Sequence, residues 1–275
     1  MKVNPLKRGF LFLMGDEKRQ RISIPLFAIV LSLLAGSVVL LILGKNPLVA
    51  FTSFLQGSGL LPKASYAGKK SMLTDFMSLV NAWTPMLFAS LSVAVAFKSG
   101  LFNIGVSGQM LLSGLVATVT VGYSDLPAVV AKPLVVIIGM VVGAAVAALI
   151  GFLKHKWNIN EVVSAIMLNY IFRYAGSFVI KYYLADPVSR QSKAINASAR
   201  LSLMDTPVGD LKMEIPLGIV LAVVAVVLVQ FLFQKMRLGF EFRAIGANPK
   251  AARYVGINVG RNLVVTMALS GALAG

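Results

Sequence analysis

Cysteine is absent from the 275 residues, and His155 is the only histidine. Disulfides, thiolate nucleophiles and the usual zinc spacings need several of these residues, so the inventory excludes such sites. Charged residues are also scarce, since they make up 13% of the chain, whereas a soluble domain carries about 25%. The sequence therefore predicts neither a metalloenzyme nor a soluble protein.

Hydrophobic residues make up 57% of the chain and are arranged in long runs. About 20 helical residues cross the roughly 30 Å hydrocarbon core, and the need to pair backbone groups in lipid makes the spans helical. We therefore expect an all-α polytopic transmembrane helix bundle. The net charge is +16, but the basic residues stand in short clusters between apolar runs, so we interpret them as topology signals and expect no nucleic-acid partner.

About six full spans and a truncated seventh are predicted. They lie at about 24–43, within 76–97, within 101–123, at about 133–153, at about 162–180, at 215–233 and from 262 onward. Arg173 interrupts the fifth, and it either faces a polar interior or marks a span shifted toward one interface. The seventh is too short to cross the bilayer before Gly275, so we expect a fragment. The alternative is a tilted or re-entrant last helix whose end is buried among its neighbours.

The N-terminal segment 1–23 is basic and precedes the first span. The uncharged run that follows, 22–44, is longer than the roughly 7–15 residues of a signal-peptide core, so a retained first helix is expected. A cytoplasmic N-terminus places 15 basic residues inside and 10 outside, as the positive-inside rule favours. The prediction is a cytoplasmic segment 1–23, a transmembrane domain 24–275 and a cytoplasmic loop 234–261, with the inverted orientation as the alternative.

The entry to the third span is polar and rich in glycine. Residues 100–109 read Gly-Leu-Phe-Asn-Ile-Gly-Val-Ser-Gly-Gln, where a plain span would hold leucine and valine. The glycines permit a close helix approach or a local break, and the amides and serine offer hydrogen bonds at membrane depth. We take Phe102, Asn103, Ser107 and Gln109 as candidates for a solute pathway; the alternative is helix packing and capping alone.

The start of the fifth span has a similar character. Asn160 can cap this helix, and Glu161 suits its positive end, so a structural role explains both. Ser164 and Asn169 lie farther in, where polar groups face a partner helix or an aqueous cavity. We add these two residues to the pathway candidates.

The loop after the sixth span contains a short capped helix. Asn248 and Pro249 read as the N-cap and first helical position, and Gly256 as the end of the element. The small residues Ala251 and Ala252 would let another surface approach closely, and Lys250 and Arg253 could contact acids or lipid phosphates. The alternative is an interfacial helix that contacts only membrane lipid.

Three stretches, 97–109, 160–170 and 243–257, resemble the permease subunits of bacterial importers powered by ATP-binding cassette proteins. The resemblance is to the branch that handles nucleosides, ribose-type sugars and branched-chain amino acids. The form Asn-Ile-Gly-x-x-Gly-Gln at 103–109 is more similar to nucleoside permeases than to ribose permeases. Such permeases usually continue through further spans, and this sequence stops early.

The resemblance implies a division of labour. A pair of permeases, identical or homologous, would form the pathway, and an extracellular solute-binding lipoprotein would deliver the solute. ATP-binding subunits would dock on the helix at 248–256, with Gly246, Asn248, Pro249, Ala251, Ala252, Arg253 and Gly256 as the coupling residues. The sequence contains no Gly-x-x-x-x-Gly-Lys-Ser/Thr phosphate loop, so ATP hydrolysis would reside in that partner, and no cofactor is expected in this chain.

The resulting hypothesis is a multi-pass permease of the bacterial cell membrane that carries nucleosides or related solutes and is not itself an enzyme. One alternative is a permease for simple sugars such as ribose. A second is an ion-coupled secondary transporter, which would need coupling carboxylates that are hard to find in the spans. A membrane-embedded enzyme would require paired acids or a serine elbow, and no such motif is present. A nonfunctional remnant is the last alternative.

Overall fold

The computed structural model describes residues 17–66, 70–186, 189–208 and 211–275. The chain divides into two compact units, Met1–Ser65 and Tyr66–Gly275. The first holds α1 (Glu17–Ile42) and α2 (Pro47–Gly57). The side chain of Asn46 accepts a hydrogen bond from the Leu48 amide at 2.9 Å, which caps α2. Most of the predicted N-terminal segment 1–23 lies outside the described residues.

The second unit contains eight α-helices and a β-hairpin within its described residues. The helices are α3 (Met72–Lys98), α4 (Val106–Ala117), α5 (Ala128–Trp157), α6 (Glu161–Val179), α7 (Leu217–Lys235), α8 (Arg237–Ala247), α9 (Pro249–Tyr254) and α10 (Val259–Ala274). A wider π-helical turn extends two of them, at Thr118–Gly122 after α4 and at Ile180–Leu184 after α6.

The predicted all-α bundle is confirmed, with one span different from expectation. Among the described residues, the helices long and apolar enough to cross a membrane are those at Ile22–Ile42, Met72–Lys98, Ala128–Trp157, Glu161–Leu184 and Leu217–Lys235. The third predicted span is helical only over Val106–Gly122, because residues 101–105 are not helical. The last, Val259–Ala274, is also short.

A two-stranded antiparallel hairpin connects α6 to α7 and was not predicted. Strand β1 (Ser202–Val208) pairs with β2 (Leu211–Pro216), and the register places Ser202 opposite Pro216. Asn81 of α3 donates a hydrogen bond to the Glu214 carboxylate of β2 at 3.5 Å. The hairpin therefore lies against the N-terminal half of α3.

Helices α5 and α10 pack with their backbones in direct contact. Gly139 and Gly143 lie on one face of α5. A Cβ atom added to Gly143 would collide with the carbonyl oxygen of Gly271 on α10, and one added to Gly139 would collide with that of Gly275, directly after α10. Ala147 follows at the same four-residue spacing, and its methyl group lies against Gly271. Small residues at this spacing are how helices approach closely in lipid, where the hydrophobic effect does not drive association.

Candidate functional site

Between α3 and α4 the chain reverses direction and runs back alongside α3. Gly100 makes the turn with a φ of +73°, a conformation that favours glycine. Three residues later, the Asn103 side chain reaches the Ser92 hydroxyl of α3 at 3.4 Å. Ser92 lies six residues before the end of α3, a rise of about 9 Å. Helix α4 therefore begins within the bundle, at about the depth of Ser92.

Two asparagines satisfy the backbone of this non-helical segment. Asn169 of α6 donates to the Ile104 carbonyl at 3.0 Å and accepts from the Gly108 amide at 2.9 Å. Asn103 accepts from the Gly105 amide at 3.0 Å. Irregular backbone at membrane depth is tolerated where protein groups pair it. Asn169 therefore anchors the start of α4 to α6.

A buried polar cluster joins the segment to α3, α4 and α10; we name it the amide cluster and define it as Ser92, Asn103, Gln109 and Ser270. Asn103 and Gln109 exchange two hydrogen bonds of 3.0 Å each. Asn103 also donates to the Ser270 hydroxyl at 2.8 Å, and Ser270 donates to the Ser92 carbonyl at 2.7 Å. All four side chains are buried, so their hydrogen-bonding capacity is used within the protein.

A second set of hydrogen bonds connects α10 to the end of α3, at Ser99, and to the loop helix α8. Thr266 pairs with the Ser99 hydroxyl at 2.9 Å, and one turn earlier Asn262 donates to the Glu241 carboxylate at 2.8 Å. Arg237 donates to the same carboxylate at 2.8 Å. The Asn262 hydrogen bond and the Arg237 guanidinium hold the pKa of the Glu241 carboxyl below its ordinary value. Helix α10 thus carries polar contacts from α8 up to the amide cluster.

An open cavity of about 830 Å³ lies beside the non-helical segment. Its wall includes Phe97 and Phe102, whose rings stack with centroids 4.8 Å apart and planes 19° apart. Ser90 of α3 and Ser107 of α4 add hydroxyl groups to the same wall. The cavity therefore offers an aromatic surface with a few hydrogen-bonding groups, the usual composition of a small-molecule site.

A second cavity of about 310 Å³ lies toward the other end of α4, where the two π-helical turns approach each other. Leu111, Gly114 and Thr118 form its α4 side. Together with Ser107 in the first cavity, these residues recur every three or four positions and so share one face of α4. This face, Ser107–Leu111–Gly114–Thr118, contributes residues to both cavities, and we refer to it as the α4 groove.

The structure separates the predicted pathway residues into two groups. Phe102 and Ser107 line the larger cavity, so they remain candidates for contact with solute. Gln109 is fully buried, Ser164 donates to the Asn160 carbonyl at 3.2 Å and Asn169 bonds to α4 backbone, so these three serve the packing of the chain. Asn103 touches the cavity edge, but its amide is occupied by the amide cluster.

Residues that sequence reasoning missed include Ser92, Ser270, Gly114 and Thr118. The two serines are small polar residues among several polar residues in their helices, and a small polar residue in a membrane helix indicates a helix contact but not its partner. Gly114 is recognisable only once the α4 groove is known. No group of three or more metal-ligating side chains occurs in the part of the chain that the structure describes.

The predicted capped helix in the loop is present as α9. The Asn248 side chain accepts from the amides of Lys250 and Ala251 at 3.0 and 3.1 Å, Pro249 opens the helix, and Gly256 follows it with a φ of +82°. Helix α9 is therefore a short rigid element with both ends defined.

The two alanines of α9 have different environments. Ala252 is 2% exposed and packs on Ile245 and Val259, so the prediction that it faces another protein is wrong: its small size serves the packing of the loop. Ala251 is exposed, as are Arg253 and Tyr254, and Tyr254 is 92% exposed. The surface available to a partner is formed by Ala251, Arg253, Tyr254 and Val255.

Gly246, at the end of α8, packs against the turn that follows α3. A Cβ atom at Gly246 would collide with the Lys98 carbonyl oxygen and would lie 3.2 Å from the Gly100 amide nitrogen. The loop that carries α9 is therefore in backbone contact with the turn that leads into the non-helical segment 101–105.

Comparison with known proteins places these features in context. Residues 76–275 match the family described as "Branched-chain amino acid transport system / permease component". The chain is 35% identical over 269 residues to the nucleoside ABC transporter permease protein NupB of Lactococcus lactis, covering 94% of this chain and 70% of that protein. It is 32% identical over 260 residues to the guanosine ABC transporter permease protein NupP of Bacillus subtilis, covering 94% and 71%.

A more distant relative is the glucose ABC transporter permease protein TsgB13 of Haloferax volcanii, 31% identical over 261 residues, with 91% of this chain and 65% of that protein covered. No solved structure gives a significant match to the chain.

Proposed function

The chain belongs to the family of permease components of branched-chain amino acid-type transport systems, and from this premise we propose that it forms the membrane pathway of an ATP-driven importer of nucleosides. The names of its relatives in Lactococcus lactis and Bacillus subtilis support the nucleoside assignment. The glucose permease of Haloferax volcanii supports simple sugars as the second candidate.

The observation that carries the nucleoside proposal is the wall of the larger cavity. Phe97 and Phe102 present stacked rings to it, and Ser90 and Ser107 present hydroxyls. A nucleobase stacks on an aromatic side chain with about 1–3 kcal/mol per base, and its ribose needs hydrogen-bond partners. A volume of about 830 Å³ is within the range of small-molecule sites, roughly 300–1,000 Å³. A sugar would use the hydroxyls but gain less from the ring pair.

Three partners follow from this role. A second permease chain, the same or homologous, would close the open side of the α4 groove, and an extracellular solute-binding lipoprotein would deliver the nucleoside. An ATP-binding cassette subunit would dock on the exposed face of α9 and hydrolyse ATP, since this sequence has no phosphate-binding loop of its own. The N-terminus and α9 would both lie on the cytoplasmic side of the bacterial cell membrane.

The coupling mechanism needs a part that both the ATPase and the solute pathway contact. ATP can shift the permease between two conformations only if the ATPase dimer binds them with different affinity. Docking at Ala251, Arg253 and Tyr254 would move the loop, and Gly246 would transmit that movement to the turn at Lys98–Gly100. Segment 101–105, which carries Phe102, follows that turn directly. A bulky residue at Gly246 is therefore expected to uncouple ATP hydrolysis from uptake.

The test is uptake of labelled nucleosides and ribose by cells that lack this gene and carry it back on a plasmid. Nucleoside uptake should be lost in the deletion strain, be restored by the gene, and fall on ATP depletion but not on addition of an ionophore alone. Phe102→Ala should raise the KM for nucleosides by about tenfold, as loss of one stacking contact predicts. The matched control is Phe27→Ala, the same change at an exposed position of α1.

Uptake of every nucleoside at the wild-type rate in the deletion strain would contradict the proposal. If only ribose or glucose uptake were lost, the sugar assignment would replace it. If an ionophore abolished uptake while ATP depletion did not, the chain would be an ion-coupled transporter.

A further inference from the structure

Arg173 lies halfway along an apolar transmembrane helix. It stands twelve residues after Glu161, a rise of about 18 Å, and the helical segment Glu161–Leu184 is long enough to cross the bilayer. Its side chain is exposed. Within the described residues it has no ion pair and no hydrogen bond. An arginine at this depth is costly in lipid and is found facing a partner or a water-filled cavity.

The position of Arg173 on α6 places it beside the α4 groove. Gly176 and Ser177, three and four residues later, line the second cavity, and residues at this spacing lie on the same side of a helix one turn apart. The backbone of Arg173 is therefore about one turn from the second cavity. Along α6 it lies between Asn169, which bonds to the start of α4, and Gly176, which lines that cavity.

An acidic partner for Arg173 is lacking in the described transmembrane helices. Their acids occur only in first turns, at Asp75 of α3 and Glu161 of α6, and at Glu17 of α1. These are at the helix ends, whereas Arg173 is at the middle. A second copy of this chain would therefore bring no described carboxylate to its level.

Aromatic rings accompany Arg173 on the exposed side of α6. Tyr170, three residues earlier, and Tyr174 have ring centroids 6.5 Å apart with planes at 18°. Both tyrosines are exposed. The combination of a planar donor group with flat rings along one helix suits a solute that has a flat ring with acceptor atoms at its edge.

We propose that Arg173 is a specificity-determining residue of the pathway, and that its guanidinium donates two hydrogen bonds to the acceptor pair on the edge of a 6-oxopurine nucleoside. This inference rests on the proposed function. Arginine pairs in this way with the O6 and N7 acceptors of guanine, whereas glutamine pairs with the N6 donor and N7 acceptor of adenine. Arg173 thus favours guanosine and inosine over adenosine.

The experiment compares the Arg173→Gln and Arg173→Lys permeases with wild type in the complete transporter, by KM and kcat for uptake of inosine and adenosine. Arg173→Gln should raise the KM for inosine by about tenfold, the loss of one bidentate pair, and should leave the KM for adenosine unchanged or lower. Arg173→Lys keeps the charge but lacks the planar fork, so it should also lose discrimination. Arg190→Gln, at an exposed loop position, is the matched control and should change neither constant.

If the KM values for inosine and adenosine changed equally, or if only kcat fell, Arg173 would not determine specificity and its role would be structural. Wild-type uptake is measured first. If the wild-type complex carries no nucleoside, the proposed function fails; if it carries both nucleosides and Arg173→Gln leaves their KM ratio at the wild-type value, only this inference fails. Should Arg173→Gln not reach the membrane, the same ratio in Arg173→Lys decides.

Discussion

Replacing Asn103 and Gln109 by leucine, singly and together, measures how much the amide cluster contributes to stability. In Asn103→Leu the Gln109 amide loses both of its hydrogen bonds to the Asn103 side chain and stays fully buried. Each buried polar group left without a partner costs about 1–3 kcal/mol. We therefore expect the free energy of unfolding to fall by about 2–4 kcal/mol.

Gln109→Leu should cost less, because Asn103 still donates to Ser270 and still accepts from the Gly105 amide. A cost of about 1–2 kcal/mol is expected. The double variant removes the amide pair without orphaning Gln109, so its cost should be smaller than the sum of the two single costs by about 1–2 kcal/mol. Interhelical hydrogen bonds measured in another membrane protein reach about 1.7 kcal/mol, which is consistent with this range.

The assay is unfolding of the purified chain in mixed micelles by titration with a denaturing detergent, followed by the circular dichroism of its helices. If the cost of the double variant equalled the sum of the two single costs within about 0.5 kcal/mol, the conclusion that this pair of side chains stabilises the fold would be refuted. An unchanged free energy of unfolding, together with a higher KM for nucleosides in Asn103→Leu, would show that Asn103 binds solute instead.

Other predictions concern packing, pH and the coupling loop. Gly143→Ala should destabilise the chain by about 1–3 kcal/mol, because the new methyl group meets α10 backbone. Gly36→Ala should not, because a Cβ atom there would have nothing within 4 Å. Thermal unfolding in micelles compares the two variants, and equal effects would contradict the close contact between α5 and α10. The lowered pKa of Glu241 contributes stability that is complete above about pH 4.3 and is lost as the pH falls through the lowered pKa. Glu241→Gln should therefore flatten the acid limb of a plot of Tm against pH. An unchanged acid limb would show that Glu241 does not contribute this stability. Ala252→Leu should lower the Tm because Ala252 is buried. Ala251→Leu should leave the Tm unchanged and weaken binding of the ATPase subunit in a pull-down. If Ala251→Leu lowered the Tm and Ala252→Leu weakened ATPase binding instead, the assignment of the buried and partner-facing sides of α9 would be wrong.

The membrane helices were predictable because hydropathy is a property of the sequence alone. Most of the long helices lie where charge-free runs of about 20 residues occur, and the segment Glu161–Leu184 is apolar on both sides of Arg173. The short helix at Pro249 was recognisable from its capping residues. The start of the third span was not predictable in this way. Leu101 and Phe102 are as apolar as the helix that follows, so hydropathy includes them, whereas the backbone reverses at Gly100 and is held non-helical by Asn103.

The hairpin at 202–216 was missed although its signals are in the sequence. Two short runs flank Gly209 and Asp210, residue types that favour turns. The pairing of polar residues was beyond sequence reasoning for another reason. Ser92 and Ser270 are far apart along the chain and meet only after α3 and α10 have packed.

The small-residue contact between α5 and α10 has a consequence for the order in which the chain is made. Gly143 and Gly271 are 128 positions apart, and α6 and α7 enter the membrane between them. Because a chain is synthesised at roughly 5–20 residues per second, α10 is made on the order of ten seconds after α5. During that interval the glycine face of α5 is not covered by α10, and another helix of similar shape, including α10 of a neighbouring nascent chain, could pack on it. Correct folding in the membrane therefore requires that this face stay unoccupied until α10 of the same chain has been synthesised.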